Sequence, residues 1–331
     1  MLITGNQGPG AQRMFPRMDV AERSAIERAD SLLGQGGGVF FKRQLEYVRA
    51  QTLRAKTPPK NGLMLFPMDT SIPLGFRSFI TRMTEELGEA DWVGNWSEDL
   101  PRVDLNAKEI SRPVKAFGTS YGYTWMDIQT AMQMGLSLDA AKAVACRRAN
   151  EQFLNKVVWY GDTEVGVAGV LTHGGIPRHY FENAIAEGTT EKVILAMLHA
   201  FVNAVWKRTR QAARPDTLAV PTDVYTYLTT TYRSDNSEVT LLDAFLAKNP
   251  YVKRVVPVWE LDAAGPDGED VMFLYPSNTP GAIKSNVILP FRQFPAQQKG
   301  MAFNVPCISI SGGMSTEYPL ECSIGVLPKA A

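Results

Sequence analysis

The sequence predicts an α+β fold in which helices and strands occur in separate groups. Residues 63–118 carry the short apolar and β-branched runs that are typical of strands. Two long stretches, 137–160 and 191–213, repeat apolar residues at helical spacing. After Pro215, short strands and helices follow one another without the strict alternation of a parallel, doubly wound sheet.

Composition excludes several classes of protein. The 331 residues suffice for about two domains, and 34 basic side chains balance 34 acidic ones, so the net charge indicates neither a nucleic-acid nor a membrane partner. Three scattered cysteines fit neither a disulfide framework nor a zinc cluster, and they predict reduced thiols in a cytosolic compartment. No apolar run approaches the roughly 18 residues of a membrane span, and the N-terminus lacks a secretory signal. We therefore expect no cofactor, no metal site and no membrane contact.

Charge is nevertheless distributed unevenly along the chain. Residues 1–60 hold ten basic and five acidic side chains, whereas residues 85–99 hold six acids and no base. These acids are Glu85, Glu86, Glu89, Asp91, Glu98 and Asp99, and the basic residues of interest are Lys42, Arg43, Arg49 and Arg54. Opposite charges of this kind can attract each other within one copy or between copies. The alternative is two solvated faces without specific pairing.

The first 60 residues predict an arm with too little apolar material for a domain of its own. Residues 1–18 are rich in glycine and proline and predict irregular structure. Short helices are expected at 19–33 and at about 42–56; a glycine run ends the first, and the prolines at 58–59 end the second.

A long hairpin is expected next. We predict strands at 63–66, 76–86 and 109–118, and the last two flank the acidic segment. Two strands around a long intervening segment indicate an extended hairpin. Limbs of about 20 residues would reach up to roughly 60 Å at about 3.3 Å per residue.

Two long helices come after the hairpin. Ser137 is placed to cap a helix over 137–160, and Gly161 to end it. Thr190 is placed to cap the helix at 191–213. Beyond it we predict strands at 217–220, 252–259, 271–275, 302–311 and 320–327, with helices at 221–231 and 241–248.

One catalytic pattern occurs. Residues 118–122 read Gly-Thr-Ser-Tyr-Gly and match G-x-S-x-G, in which Ser120 would be the nucleophile of an α/β-hydrolase. His173, His179 or His199 could follow as the base in chain order. Such an enzyme needs a parallel sheet, however, and the predicted strands before Ser120 form a hairpin. A glycine-rich turn between a strand and a helix is the alternative to catalysis.

The histidines do not suggest a metal site. His173 and His179 are six residues apart near Glu182, and no cysteine pair supports them. We expect loop histidines without a metal. The lack of a coherent set of titratable groups favours a structural or binding role.

The order of these parts resembles the major capsid proteins of tailed bacteriophages. Several strings carry the resemblance, namely Leu100-Pro101-Arg102-Val103-Asp104, Tyr121-Gly122-Tyr123, Arg147-Arg148-Ala149, Trp159-Tyr160-Gly161-Asp162, Gly166-Val167-Ala168-Gly169-Val170-Leu171 and Ile176-Pro177. The resemblance covers roughly residues 40–330. It implies the Hong Kong 97-type fold, which encapsulin nanocompartments also use.

The resemblance implies a division of the chain. Residues 1–60 would be the N-terminal arm (N-arm), 74–120 the extended loop (E-loop), 216–300 the axial (A) domain, and 61–73, 121–215 and 301–331 the peripheral (P) domain. The helix at 137–160 would be the spine helix of the P domain. The Gly118–Gly122 pattern would then lie at the base of the hairpin.

The implied function is structural, not enzymatic. Copies of the chain would form the hexamers and pentamers of an icosahedral head shell, which encloses double-stranded DNA without sequence-specific binding. Scaffolding, portal and decoration proteins would be further partners, and a scaffold would be separate or a prodomain removed, since the chain begins almost at the arm. The expected location is the virion, after assembly in the cytoplasm of the host bacterium.

Particular contacts are also implied by this resemblance. We expect the acidic E-loop tip to meet the basic N-arm residues of a neighbour. Some relatives crosslink a lysine of this region, where Lys108 and Lys115 lie, but the sequence indicates no partner for that reaction. An encapsulin-like compartment shell and a hydrolase using Ser120 are the alternative functions.

Overall fold

The computed structural model describes residues 57–88, 92, 102–134, 138–234, 238–279 and 281–329. The chain divides into two units, Met1–Pro58 and Pro59–Ala331. The predictions for residues 1–56 lie outside the described residues. All of the described helices and strands belong to the second unit.

Helices and strands of the second unit are grouped, so the predicted α+β class is confirmed. The helices are α1 (Asn61–Leu65), α2 (Trp125–Met134), α3 (Leu138–Tyr160), α4 (Glu191–Arg208), α5 (Thr222–Thr230) and α6 (Leu241–Lys248), with 3₁₀ turns at Trp259–Leu261 and Pro319–Glu321. The strands are β1 (Met68–Asp69), β2 (Ser78–Leu87), β3 (Asp104–Pro113), β4 (Lys115–Thr124), β5 (Gly161–Asp162), β6 (Val167–Ala168), β7 (Arg178–Tyr180), β8 (Thr217–Val220), β9 (Arg254–Pro257), β10 (Val271–Tyr275), β11 (Lys284–Gln293), β12 (Gln297–Lys299), β13 (Ala302–Ser315) and β14 (Ser323–Val326).

Two five-stranded sheets organise the unit. In the first, the order is β1-β11-β13-β12, and β4 also pairs with β13. The β4–β13 pairing is antiparallel and runs without a break from Lys115 opposite Ser311 to Thr124 opposite Ala302. The second sheet has the order β7-β14-β10-β8-β9. Strands β2 and β3 form a separate two-stranded sheet.

The second sheet separates two hydrophobic cores. All five residues of β10 are buried. Val271, Phe273 and Tyr275 face one core, which includes the end of α3, while Met272 and Leu274 face the other, which includes α4, α5 and α6. The period of two along a strand produces this division. Both faces of the sheet are therefore covered within one copy.

The two long helices are largely as predicted. Helix α3 ends at Tyr160, and Gly161 follows with φ +66°, as expected of a glycine that ends a helix. Helix α4 begins at Glu191 as predicted, although the side chain of Thr190 makes no capping hydrogen bond. It stops at Arg208 rather than 213, because Arg210 and Gln211 take the left-handed backbone conformation.

Two strand predictions were wrong. Residues 63–65 of the expected strand at 63–66 belong to helix α1, where the backbone N–H of Gly62 donates to Asn155 Oδ1 at 2.9 Å. The expected strand at 109–118 is divided at Val114, so that β3 belongs to the hairpin and β4 to the first sheet. Helix α2 and strand β11 were not predicted.

The described helices are too short or too polar to cross a bilayer. All three cysteines are free and buried.

Candidate assembly site

The β2–β3 hairpin exposes apolar side chains on a ribbon of only two strands. Its ten residue pairs run from Ser78 opposite Pro113 to Leu87 opposite Asp104. Ile80 is 58% exposed and Leu105 is 64% exposed. A two-stranded hairpin is marginally stable in water and normally packs against another element. This one has an uncovered apolar surface within the described residues.

Further exposed apolar side chains lie on the segment before the hairpin and on α2. They are Leu74, Phe76, Trp125, Met126 and Met132. Scattered exposed apolar residues are normal, but groups of them mark surfaces that meet other molecules. The hairpin and α2 are therefore candidates for contact with another chain.

Arg112 ties the base of the hairpin to the first sheet. Its side chain is buried, its Nη1 donates to the carbonyl of Met314 at 2.9 Å, and its Nη2 lies 2.9 Å from His173 Nε2. Burial lowers the pKa of Arg112, but arginine stays charged in proteins. The backbone N–H of Val114 donates to the Arg77 carbonyl at 2.8 Å and closes the hairpin.

His173 serves this junction as a neutral acceptor. Burial, and next the charge of Arg112, lower the pKa of His173 to about 4. Nε2 then accepts from Arg112, while Nδ1 lies 3.2 Å from the backbone nitrogen of Gly175. Within the described residues, no group of three or more possible metal ligands comes together.

A cleft of about 600 Å³ opens beside this junction. Asn106, Lys108, Ile110 and Arg112 line one wall, and the loop of His173 and Gly174 lines the other. The four strand residues alternate along β3, so they share one face of the hairpin. This wall of the cleft carries two cationic side chains.

Ser120 does not sit on a nucleophile elbow. It lies in the extended strand β4 opposite Pro306, with Gly118 opposite Ile308 and Gly122 opposite Asn304. A nucleophile elbow needs a sharp turn from a strand into a helix, so both the catalytic interpretation and the expected glycine-rich turn are wrong in their geometry.

The histidines are engaged elsewhere. His173 meets Arg112, the ring of His179 packs on Phe181 at 4.8 Å between centroids, and His199 packs on Phe245 at 5.2 Å. Within the described residues, no hydrogen bond joins Ser120 to a histidine. The structure thus assembles no Ser–His pair in the part it describes.

The acidic residues of the hairpin are only partly described. The backbones of Glu85 and Glu86 lie opposite Asn106 and Leu105, at the distal end of the paired strands. Glu89, Asp91, Glu98 and Asp99 lie outside the described residues, as do Lys42, Arg43, Arg49 and Arg54. The predicted pairing between these two groups stays a prediction.

Comparison with known families decides the class of the protein. The model of the major capsid protein family matches residues 88–323. The chain belongs to the major capsid protein family. A search of curated protein sequences gives no match.

Solved capsid structures share the fold of this capsid protein. The capsid of Myoviridae phage XM1 matches with a TM-score of 0.76 at 16% identity, covering 88% of this chain and 100% of that one. The capsid of the native GTA particle matches at 0.63 with 8% identity, covering 87% and 97%. A virus-like particle from Pyrococcus furiosus matches at 0.51 with 14% identity, covering 80% and 91%. The predicted Hong Kong 97-type fold is confirmed, and the chain is a structural protein of a capsid shell.

Sequence reasoning missed the Arg112–His173 contact in this capsid protein. The two residues are 61 positions apart, and no local pattern joins them. One signal was present, because Arg112 shares a strand face with Ile110 and comes just before the buried Val114. An arginine in that setting indicates a buried guanidinium with a specific partner.

Acidification is expected to destabilise the capsid protein through His173. The pKa of His173 in the fold, about 4, lies below its ordinary value of 6.5, so the fold favours the neutral ring. The stability that depends on the neutral ring is complete above pH 6.5 and is lost as the pH falls towards 4. Thermal unfolding between pH 7.5 and 4 would measure it.

The matched variant is His173→Gln, whose side-chain oxygen can accept from Arg112 without titrating. The melting temperature of wild type should fall more steeply than that of the variant in this pH range, because carboxylates titrate in both proteins. Parallel curves would contradict the role given to His173.

Proposed function

We propose that this capsid protein forms the icosahedral head shell of a tailed bacteriophage, built from hexamers and pentamers that enclose double-stranded DNA. The observation that carries the proposal is the β2–β3 hairpin, a long ribbon with exposed apolar residues in a chain of the capsid family. A closed shell needs heterologous contacts between identical copies. A hairpin that lies on a neighbouring copy supplies such a contact.

The division of the chain into N-arm, E-loop, P domain and A domain is part of this proposal. We place the second boundary of the E-loop at 114 instead of 120, since β4 pairs along its whole length with β13 of the first sheet. The A domain would comprise residues 216–300, as the resemblance implies. The N-arm, residues 1–60, and the acidic tip would contact neighbouring copies.

Contents and partners belong to the same proposal. In this proposal the shell encloses DNA without reading its sequence, and the zero net charge of the chain limits repulsion between many copies. Scaffolding, portal and decoration proteins would be further partners, and assembly would take place in the cytoplasm of the host bacterium. The match to the major capsid protein family, with the likeness to the capsids of phage XM1 and of the GTA particle, supports a phage head over an encapsulin-like compartment.

Nuclease protection tests what the shell holds. Particles from the producing bacterium would be banded by density, checked for this chain by mass spectrometry and treated with nuclease. The band richest in this chain should contain nuclease-resistant double-stranded DNA. A band of shells that holds a protein cargo and no DNA would contradict the phage-head proposal and support the encapsulin-like alternative.

A further inference from the structure

The cleft at the hairpin base holds a buried cation for which the described residues supply no counter-ion. Arg112 is 9% exposed, its hydrogen bonds go to a carbonyl and to a histidine, and its Nε is buried without a partner in the described part of the chain. A buried charge is costly unless it is paired. Lys108 adds a second positive charge to the lining, and no aspartate or glutamate is among the described residues that line the cleft.

The nearest acidic residue of β3 does not serve this cleft. Glu109 lies on the opposite face of the strand, where its Oε1 accepts from Arg82 Nε at 2.7 Å. Both side chains of that pair are exposed. The β3 wall of the cleft therefore provides no acidic side chain that compensates the charge of Arg112.

The acid-rich segment of the same copy begins far from Arg112. Phe79 lies opposite Arg112, and Glu85 is six residues further along β2. Six residues of antiparallel strand span about 20 Å. The paired strands thus hold the start of the segment away from the guanidinium of their own copy.

We propose that this cleft receives a carboxylate from the acid-rich segment, residues 85–99, of a second copy of the chain. The inference rests on the proposed assembly into shells and assigns one of its contacts. Six acids and no base in the segment complement a cleft lined by Lys108 and Arg112. This places the acidic segment at the hairpin base of a neighbouring copy. The sequence alone suggested the basic N-arm residues of a neighbour as its partner.

Zero-length crosslinking in mixed shells tests the contact. Shells would be assembled from equal amounts of ¹⁴N- and ¹⁵N-labelled chains and treated with a carbodiimide, which joins a carboxylate to a lysine amine. Trypsin releases all six acids on one peptide, 83–102, because Arg82 and Arg102 enclose them without a lysine or arginine between. The expected product joins this peptide to the peptide that carries Lys108.

The isotope label separates the two possible sources of that product. A link within one copy joins peptides of the same label, whereas links between randomly mixed identical copies carry both labels in about half of cases. Mixed-label links at Lys108 are the expected result.

Charge reversal supplies a second measurement on exposed residues that do not anchor the fold. Lys108→Glu should raise the protein concentration needed for shell formation about tenfold or more, since like charges would then meet. The matched control is Lys115→Glu, an exposed lysine at the start of β4 outside the cleft, with an expected change below about threefold.

The outcomes distinguish this inference from the proposed function. Shells that lack mixed-label links at Lys108, and in which both lysine variants behave alike, would overturn the inference and leave the shell intact. Failure of the wild-type chain to form any shell would overturn the proposed function, and the inference with it.

Discussion

The double variant Ile80→Thr with Leu105→Thr is expected to fold like wild type and to lose shell formation. Both side chains are more than half exposed in the single chain. They share the hairpin face opposite the cleft, since Leu105 pairs with Glu86, six residues after Ile80 on β2. Threonine suits a strand and removes apolar surface. The folding stability of the single copy should therefore change little.

The free energy of association between copies should weaken much more than the stability of the single copy. Burial of a large aliphatic side chain contributes about 1.5–3 kcal/mol, so two such losses weaken each contact by about a hundredfold or more. Sedimentation of the purified chain would measure assembly, and circular dichroism with a thermal scan would measure folding. The control is Thr84→Ser, an exposed residue of the same face that pairs with Ala107 and lies outside the cleft; it removes a single methyl group and should assemble normally. Normal shells from the double variant would refute the role of this face.

The second large effect is expected from Gly118→Ala, and it concerns the fold. A methyl group at Gly118 would overlap the carbonyl oxygen of Cys307 and lie 3.2 Å from Ile308 Cγ1. Backbone cannot yield as a flexible side chain can, so β4 and β13 would have to separate locally. We expect a loss of about 2–4 kcal/mol, in the range of severe overpacking.

A neighbouring serine provides the matched control. Ser120→Ala changes an exposed side chain two residues along the same strand, and it should alter stability by less than about 0.5 kcal/mol. Chemical denaturation of the three proteins would compare them. Equal midpoints for Gly118→Ala and wild type would contradict the close approach of the strands. Loss of fluorophosphonate labelling in Ser120→Ala would instead revive the hydrolase alternative.

Elements with strong local patterns could be predicted from the sequence. Helix α3 is a long run without proline or glycine that ends at a glycine, and strand β10 is a continuous apolar run between turn residues. Helix α2 also had a local signal that sequence reasoning overlooked. Thr124 and Asp127 cap it reciprocally, with Asp127 N donating to Thr124 Oγ1 and Thr124 N donating to Asp127 Oδ2.

Helix α1 had no sufficient local signal. Its first residues are held by Glu260 and Asn155, 199 and 93 positions away, through hydrogen bonds such as Asn61 Nδ2 to Glu260 Oε2 at 2.8 Å. Glu260 is buried and also accepts from Asn155 Nδ2 at 2.7 Å. Contacts over such separations override the strand preference of a short apolar run.

The candidate site was only partly predictable for the same reason. The pattern of apolar residues and the distribution of charge predicted a hairpin with an acidic segment. The structure confirms strands on both sides of that segment. The cleft depends on β3, the loop at His173 and the end of β13, which come together only in the fold. The G-x-S-x-G match misled because three fixed positions also suit a strand that approaches its partner closely at Gly118.

Electron microscopy of the purified, concentrated chain tests the central claim most directly. A structural protein of a capsid shell should form closed particles tens of nanometres across, alone or when produced together with its scaffolding partner. The hairpin double variant, prepared in the same way, should remain as small particles. If wild type also remains as small compact particles under both conditions, the account of this chain as a self-assembling shell protein is wrong.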